Sequence, residues 1–176
     1  MLLFSLWLHT YNAKKKGKYP FGCRQGVVPG SDGAGEVVAI GKKVTRFSTG
    51  DKVLTLFNQG HIGGPLTRES MTTGLGGLID GTLQQYGVYH QEGLVRMPSH
   101  LSYAEGASLP CAAVTAWNAL FGLAGKRLTP GDVVLTQGTG GVSVFAIQVR
   151  ASLFYVCDGH AGLMSWHSLP KQPART

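Results

Sequence analysis

The sequence predicts a mixed β and α/β fold, with a β domain of barrel or sandwich type ahead of the opening of an α/β unit. Three observations predict it. Short apolar or alternating runs between turn residues recur from Gly22 to about Met97. Near Leu101 the pattern turns helical, and past Thr129 the run Val133-Val134-Leu135 enters a glycine-rich stretch, TQGTGGVSVF, Thr136 to Phe145.

The 176 residues suffice for one well-buried domain, or one domain with part of a second. The opening MLLFSLWL is apolar, but no basic residue precedes it and HTYNAKKK follows in place of a small-residue cleavage site. A buried first strand or an irregular start is expected there, not a secretion signal, and the run is too short to span a bilayer. Strands are expected at Glu36–Ile40, Lys52–Phe57 and Gly87–Tyr89, each bounded by Gly or Asp turn signals. Asn58 to Gly77 is polar and glycine-rich and reads as a long loop.

Ser102-Tyr103-Ala104-Glu105 has the spacing of a capping box, in which hydroxyl and carboxylate each satisfy an orphan amide at a helix start. Pro110 suits the first turn of a second helix with Ala113, Ala116, Trp117, Leu120 and Phe121 on one face and Gly125 as its cap. Thr129-Pro130-Gly131-Asp132 is a turn, so a domain boundary is placed between residues 110 and 130. Ser152–Cys157 reads as a short strand, and DGHAGLMSWHSLPKQPART beyond it shows no periodicity.

The net charge of +7 raises nucleic acid as a partner. The one basic run, Lys14-Lys15-Lys16-Gly17-Lys18, lacks stacking aromatics or a recognition helix, so neither nucleic acid nor a membrane is expected as a partner. Cys23, Cys111 and Cys157 are few, odd in number and far apart, which fits reduced thiols in a cytoplasmic protein.

In the glycine stretch, Gly138 permits a tight bend and Gly140 lets backbone approach a phosphate with no Cβ in the way. The amides opening the following helix point a positive dipole end at the anion, as in a dinucleotide site. Ser143 stands where the third glycine of G-x-G-x-x-G would be, and no Gly-Lys-Ser/Thr follows, which rejects a triphosphate P-loop. Asp158, twenty residues past Gly138, has the spacing of a ribose-binding carboxylate. Metal motifs are missing: Cys157, His160 and His167 form the one loose cluster. His9, His61, His90 and His100 sit singly and read as surface residues, and no serine near the glycine turn has a His/Asp partner at hydrolase spacing.

VVPGSDGAGEVVAIG (Val27–Gly41), GDKV (Gly50–Val53), GGLIDGTLQQY (Gly76–Tyr86), LVRMPSHLSYAEGASLPCAAVTAWNAL (Leu94–Leu120) and LTPGDVVLTQGTGGVSVFAIQ (Leu128–Gln148) follow one another in order. Together they resemble the medium-chain dehydrogenase/reductase family, nearest its zinc-independent quinone-oxidoreductase-like members. The resemblance implies a GroES-like β-barrel domain over residues 19–115 and the start of a Rossmann domain over 116–150. It sets apart a divergent segment 1–18 and an irregular tail 151–176. It further implies NADPH or NADH as cofactor, no zinc, and hydride transfer to a small-molecule carbonyl, enone or quinone. By position, Thr115 matches the family threonine beside the nicotinamide, and Gly138, Thr139, Gly140, Gly141 and Val142 match the pyrophosphate loop. No catalytic residue is assigned. Gly30-Ser31-Asp32 stands where zinc-dependent members carry Gly-His-Glu, and Cys111 aligns with another zinc ligand. The resemblance fades in Met1–Asn12 and after Gln148, so the expectation is an incomplete, truncated cofactor domain of low activity. The alternative is a non-catalytic β module.

Overall fold

The computed structural model describes residues 22–125, 127–130 and 132–153. Its β part is a three-stranded antiparallel sheet, β1 (Ala34–Glu36), β2 (Lys52–Thr55) and β3 (Leu94–Arg96), with β2 in the centre. Ala34 lies opposite Leu54 and Glu36 opposite Lys52, while Val53 faces Arg96 and Thr55 faces Leu94. The central strand carries the core, as its position between two neighbours requires: Val53, Leu54 and Thr55 are all buried. Phe47, Val53 and Leu94 form the buried cluster, with Val37, Val44 and Tyr89 packed on it. The guanidinium carbons of Arg46 and Arg96 lie 5.4 and 5.6 Å from the Phe47 ring centroid, so two cations cover that ring with their stems and charge.

The expected strand over Glu36–Ile40 is shorter than its pattern. Val37 still exchanges two backbone bonds with the facing chain, donating to the Asp51 carbonyl and accepting from the Gly50 amide, but Val38 and Ile40 are exposed. Lys52–Phe57 ends as a strand at Thr55. Gly87–Tyr89 is not a strand: Val88 is fully exposed and Tyr89 alone turns to the core. The long loop contains a helical turn, α1 (Arg68–Met71), whose Thr67 and Ser70 form a reciprocal capping box.

The capping box at Ser102 forms as expected and opens α2 (Tyr103–Gly106). Pro110 falls in the first positions of a π-helical turn, Leu109–Ala113, which runs directly into α3 (Val114–Phe121). Helix α3 ends at Gly122; Gly125, with φ +75°, lies beyond it. Of the predicted apolar face only Ala116 is fully covered, whereas Trp117 is half exposed and leans on Phe121 with ring centroids 4.8 Å apart. Val133–Leu135 forms no strand. Val133 is 89% exposed, and no described strand lies beside the run to accept its ladder bonds.

Helix α4 (Gly141–Leu153) packs on α3 and on the π-turn. It takes in Ser152 and Leu153, the first two residues of the expected Ser152–Cys157 strand, and the tail set apart from residue 151 therefore begins helical. Phe154 onward lies outside the described residues, as does the opening segment. Among the described residues no helix is long and apolar enough to cross a membrane.

Candidate functional site at the glycine turn and the Asp32 corner

The turn predicted to grip phosphate is present in shape. Gly138 has φ +80°, which an L side chain rarely adopts, and a Cβ placed on Gly138 or Gly140 would meet nothing within 4 Å. A side chain at either position would therefore stand in open space. Gly141 begins α4 with Val142 behind it, and the Val144 amide donates to the Gly140 carbonyl at 3.0 Å. Ser143, at the third glycine position, donates from Oγ to the Gln137 carbonyl at 3.1 Å and so ties helix to turn. Gly138, Thr139, Val144, Ile147 and Gln148 line a cleft of about 280 Å³ beside the bend.

Thr115 is exposed in the first turn of α3. One helical turn earlier lies Cys111, whose thiol the Thr115 side chain lowers against the burial that raises it. Ala112 touches the glycine turn: a Cβ on Gly141 would come 3.3 Å from the Ala112 Cβ. Through Ala112, the π-turn packs against Gly141 at the end of the 138–142 bend, one helical turn ahead of Thr115.

Its other side meets a corner of the β domain that sequence reasoning treated only as a missing histidine. Ser31 donates its hydroxyl to Asp32 Oδ2, while Asp32 Oδ1 is buried without a hydrogen-bond partner. Burial raises the Asp32 carboxyl above the usual carboxylate range, opposed by the Ser31 hydroxyl and by the Cys111 backbone N–H. The Cys111 thiol is pushed up by its own burial and then by the Asp32 charge, with Thr115 acting the other way. The thiol is thus held in the protonated, weakly nucleophilic form.

The backbone at this corner is closely held. Thr82 Oγ1 donates to the Asp32 carbonyl at 2.9 Å, and Thr55 Oγ1 accepts from the Gly33 amide at 3.0 Å while donating to the Ser31 carbonyl. Three further bonds join Val28, Pro29 and Gly30 to Gly81, Thr82 and Leu83. Asp80 closes the set by accepting from the Val28 amide at 2.9 Å and from Arg24.

The single histidines are not drawn together. His90 Nδ1 caps its own turn by accepting from the Glu92 amide, and His90 and His100 are exposed while His61 is partly covered. His9, Asp158, Cys157, His160 and His167 lie outside the described residues. Among the described residues no three His, Cys, Asp or Glu side chains gather to hold a metal ion. The donors at the corner, Ser31, Asp32 and Cys111, do not make the three-ligand set that a catalytic zinc requires.

The model of the alcohol dehydrogenase GroES-like domain matches residues 5–99, more than half of the chain. The chain belongs to the medium-chain dehydrogenase/reductase family. It is 47% identical over 133 residues to a zinc-type alcohol dehydrogenase-like protein of Schizosaccharomyces pombe, covering 76% of this chain and 38% of that protein. It is 37% identical over 126 residues to a chloroplastic quinone-oxidoreductase homologue of Spinacia oleracea, covering 69% and 33%. A crystal structure assigned as an alcohol dehydrogenase from Sinorhizobium meliloti superposes with a TM-score of 0.70 at 39% identity, over 81% of this chain and 42% of the other. The chain spans between a third and about two-fifths of the length of these relatives.

Proposed function

We propose that this chain supplies the β domain and the pyrophosphate-gripping turn of an NAD(P)H-dependent oxidoreductase of the zinc-independent type. The single observation that carries the reading is the open bend at Gly138–Gly140 leading straight into α4. A dinucleotide fits this bend, because it offers backbone amides at a helix start and a surface that a Cβ would fill. Gly138, Thr139, Gly140, Gly141 and Val142 would hold the pyrophosphate, and Thr115 would lie by the nicotinamide. When bound, the cofactor supplies a hydride to a carbonyl, enone or quinone carbon; the two-electron chemistry is its own. Relatives named both as alcohol dehydrogenase-like and as quinone oxidoreductase support the oxidoreductase class.

What the chain's own residues do is position and exclude. The bend and α4 orient the dinucleotide, and the hydrogen-bonded corner at Ser31–Asp32 presents a rigid polar wall beside Cys111 and Thr115. Serine in place of the family histidine supports a reaction that does not use zinc, although one relative carries the zinc-type name. Cytoplasmic placement, a small-molecule substrate, and the 116–150 segment as the start of a Rossmann domain belong to the same proposal.

A second reading, a β module without cofactor binding, has its own supporting observation. Among the described residues no strand flanks Val133–Leu135 to form the neighbouring layer that steadies such turns in doubly wound sheets. Fluorescence titration of the whole chain with NADPH separates the two. Saturable micromolar binding, with turnover of a quinone acceptor, fits the oxidoreductase; a folded sample that binds neither NADPH nor NADH leaves the module.

A further inference from the structure

Among the described residues no strand steadies the run ahead of the glycine bend, so the bend takes its shape from the residues that touch it. Gly138 sits at φ +80°, but a residue without a Cβ adopts negative φ about as readily. The peptide unit between Gln137 and Gly138 is therefore free to invert at small cost. Its carbonyl and its N–H point opposite ways, so an inversion exchanges the two. An N–H facing an anion binds it and a carbonyl in the same place repels it, so the direction of this one unit decides what the bend can hold.

We infer that Ser143 is a positioning residue: by holding the Gln137 carbonyl toward α4 it locks the Gln137–Gly138 peptide and keeps the bend in one conformation for a pyrophosphate. The half-buried Ser143 side chain lies in the first turn of α4 and donates from Oγ to the Gln137 carbonyl at 3.1 Å. Among the described residues no other hydrogen bond reaches the backbone of residues 136–139. The far end of the bend is held separately. The Val144 amide donates to the Gly140 carbonyl at 3.0 Å, and Gly141 stands against Ala112. The Ser143 hydroxyl thus controls the one unit that those two contacts leave free. A glycine at this position of G-x-G-x-x-G allows close packing but has no donor to offer, so serine adds a latch that the plain motif lacks. The binding arm of this inference rests on the cofactor reading above; the conformational arm does not.

The test compares the full chain with Ser143→Ala and Ser143→Thr by NMR relaxation dispersion at residues 137–140, together with NADPH titration. Alanine is the better helix former, so a loss it causes is not a loss of α4. Removing one hydrogen bond of this kind corresponds to about fivefold in a conformational equilibrium. Ser143→Ala is expected to show microsecond-to-millisecond exchange at Gly138 and Thr139 that the parent lacks, and to weaken NADPH binding about fivefold. Ser143→Thr keeps the hydroxyl and is expected to return both to within about twofold of the parent. Equal exchange in the parent and in a folded Ser143→Ala chain overturns the inference, as does a Thr variant no better than Ala. Equal NADPH affinity of Ser143→Ala and a parent that binds overturns it likewise. Should Ser143→Ala fail to fold, Ser143→Gly takes its place and is judged by the same exchange. If the parent chain binds no NADPH, the cofactor reading falls, while the exchange comparison still decides the role of Ser143.

Discussion

Gly81 presses against Gly30 so closely that a Cβ built on Gly81 would stand 1.9 Å from the Gly30 carbonyl oxygen. The contact is backbone on backbone, and the Gly81 amide donates to Val28 at 2.7 Å in the same place. Nothing flexible can give way. Gly81→Ala is expected to destabilise the chain by about 3 kcal/mol, at the upper end of overpacking costs. Gly41→Ala, where an added methyl meets nothing within 4 Å, is expected to stay within about 0.5 kcal/mol. Urea denaturation of the pair checks this, and equal midpoints would show that the corner is not tightly packed.

The reciprocal box between Ser102 and Glu105 satisfies two amides at the start of α2, with Ser102 N donating to Glu105 Oε2 at 2.9 Å. Ser102→Ala is expected to cost about 1 kcal/mol and Ser102→Asp a few tenths, read as shifts in the same denaturation midpoint.

Two aspartates in the β domain should respond to pH in opposite senses. The Val28 amide, and then Arg24, holds the Asp80 carboxyl below its ordinary 3.8. A group whose folded value is depressed contributes above the unfolded value and loses that contribution as pH falls through the folded one. Asp80→Asn is therefore expected to soften the acid limb of stability below about pH 3.8. Burial raises Asp32, so the folded chain keeps a proton that the unfolded chain has released, and stability drops as pH rises from 3.8 through the folded value. Asp32→Asn is expected to flatten that segment. Denaturation midpoints measured from about pH 3 to 7 check both signs.

Alkylation should separate two of the cysteines. Cys23 is exposed, whereas Cys111 is partly covered and its thiol is raised by burial and by Asp32. Iodoacetamide is expected to label Cys23 first. Asp32→Asn removes the negative neighbour, lowers the Cys111 thiol and speeds its labelling. It remains slower than Cys23, because burial is the larger cause. Peptide mass spectrometry over time reads the order, and Cys111 reacting as fast as Cys23 in the parent chain would contradict it.

How far the sequence could be read followed from how local each signal is. The Ser102–Glu105 box, the glycine bend and the central strand at Lys52 each rest on neighbouring residues, and each forms where its pattern stood. The Thr67/Ser70 turn was equally local and went unseen because its residues looked like loop polarity; serine three residues after threonine was the available sign. Val133–Leu135 has strand composition, yet a parallel strand exists only by pairing, and no described strand pairs with it. Gly87–Tyr89 failed likewise, since alternation over three residues cannot outweigh the lack of a partner. The Asp32 corner is long-range in origin, joining residues 32, 82 and 111, so no spacing could reveal it.

The central claim is that the bend at Gly138–Gly140 grips a dinucleotide pyrophosphate. The most direct measurement is NADPH fluorescence titration of the full chain beside Gly140→Ala. An added methyl at Gly140 meets no protein atom, so it leaves the fold intact while standing where phosphate would approach. The account predicts saturable binding by the parent chain and at least about tenfold weaker binding by the variant at equal stability. Equal affinity in the two chains, or no saturable binding by a folded parent, would contradict it.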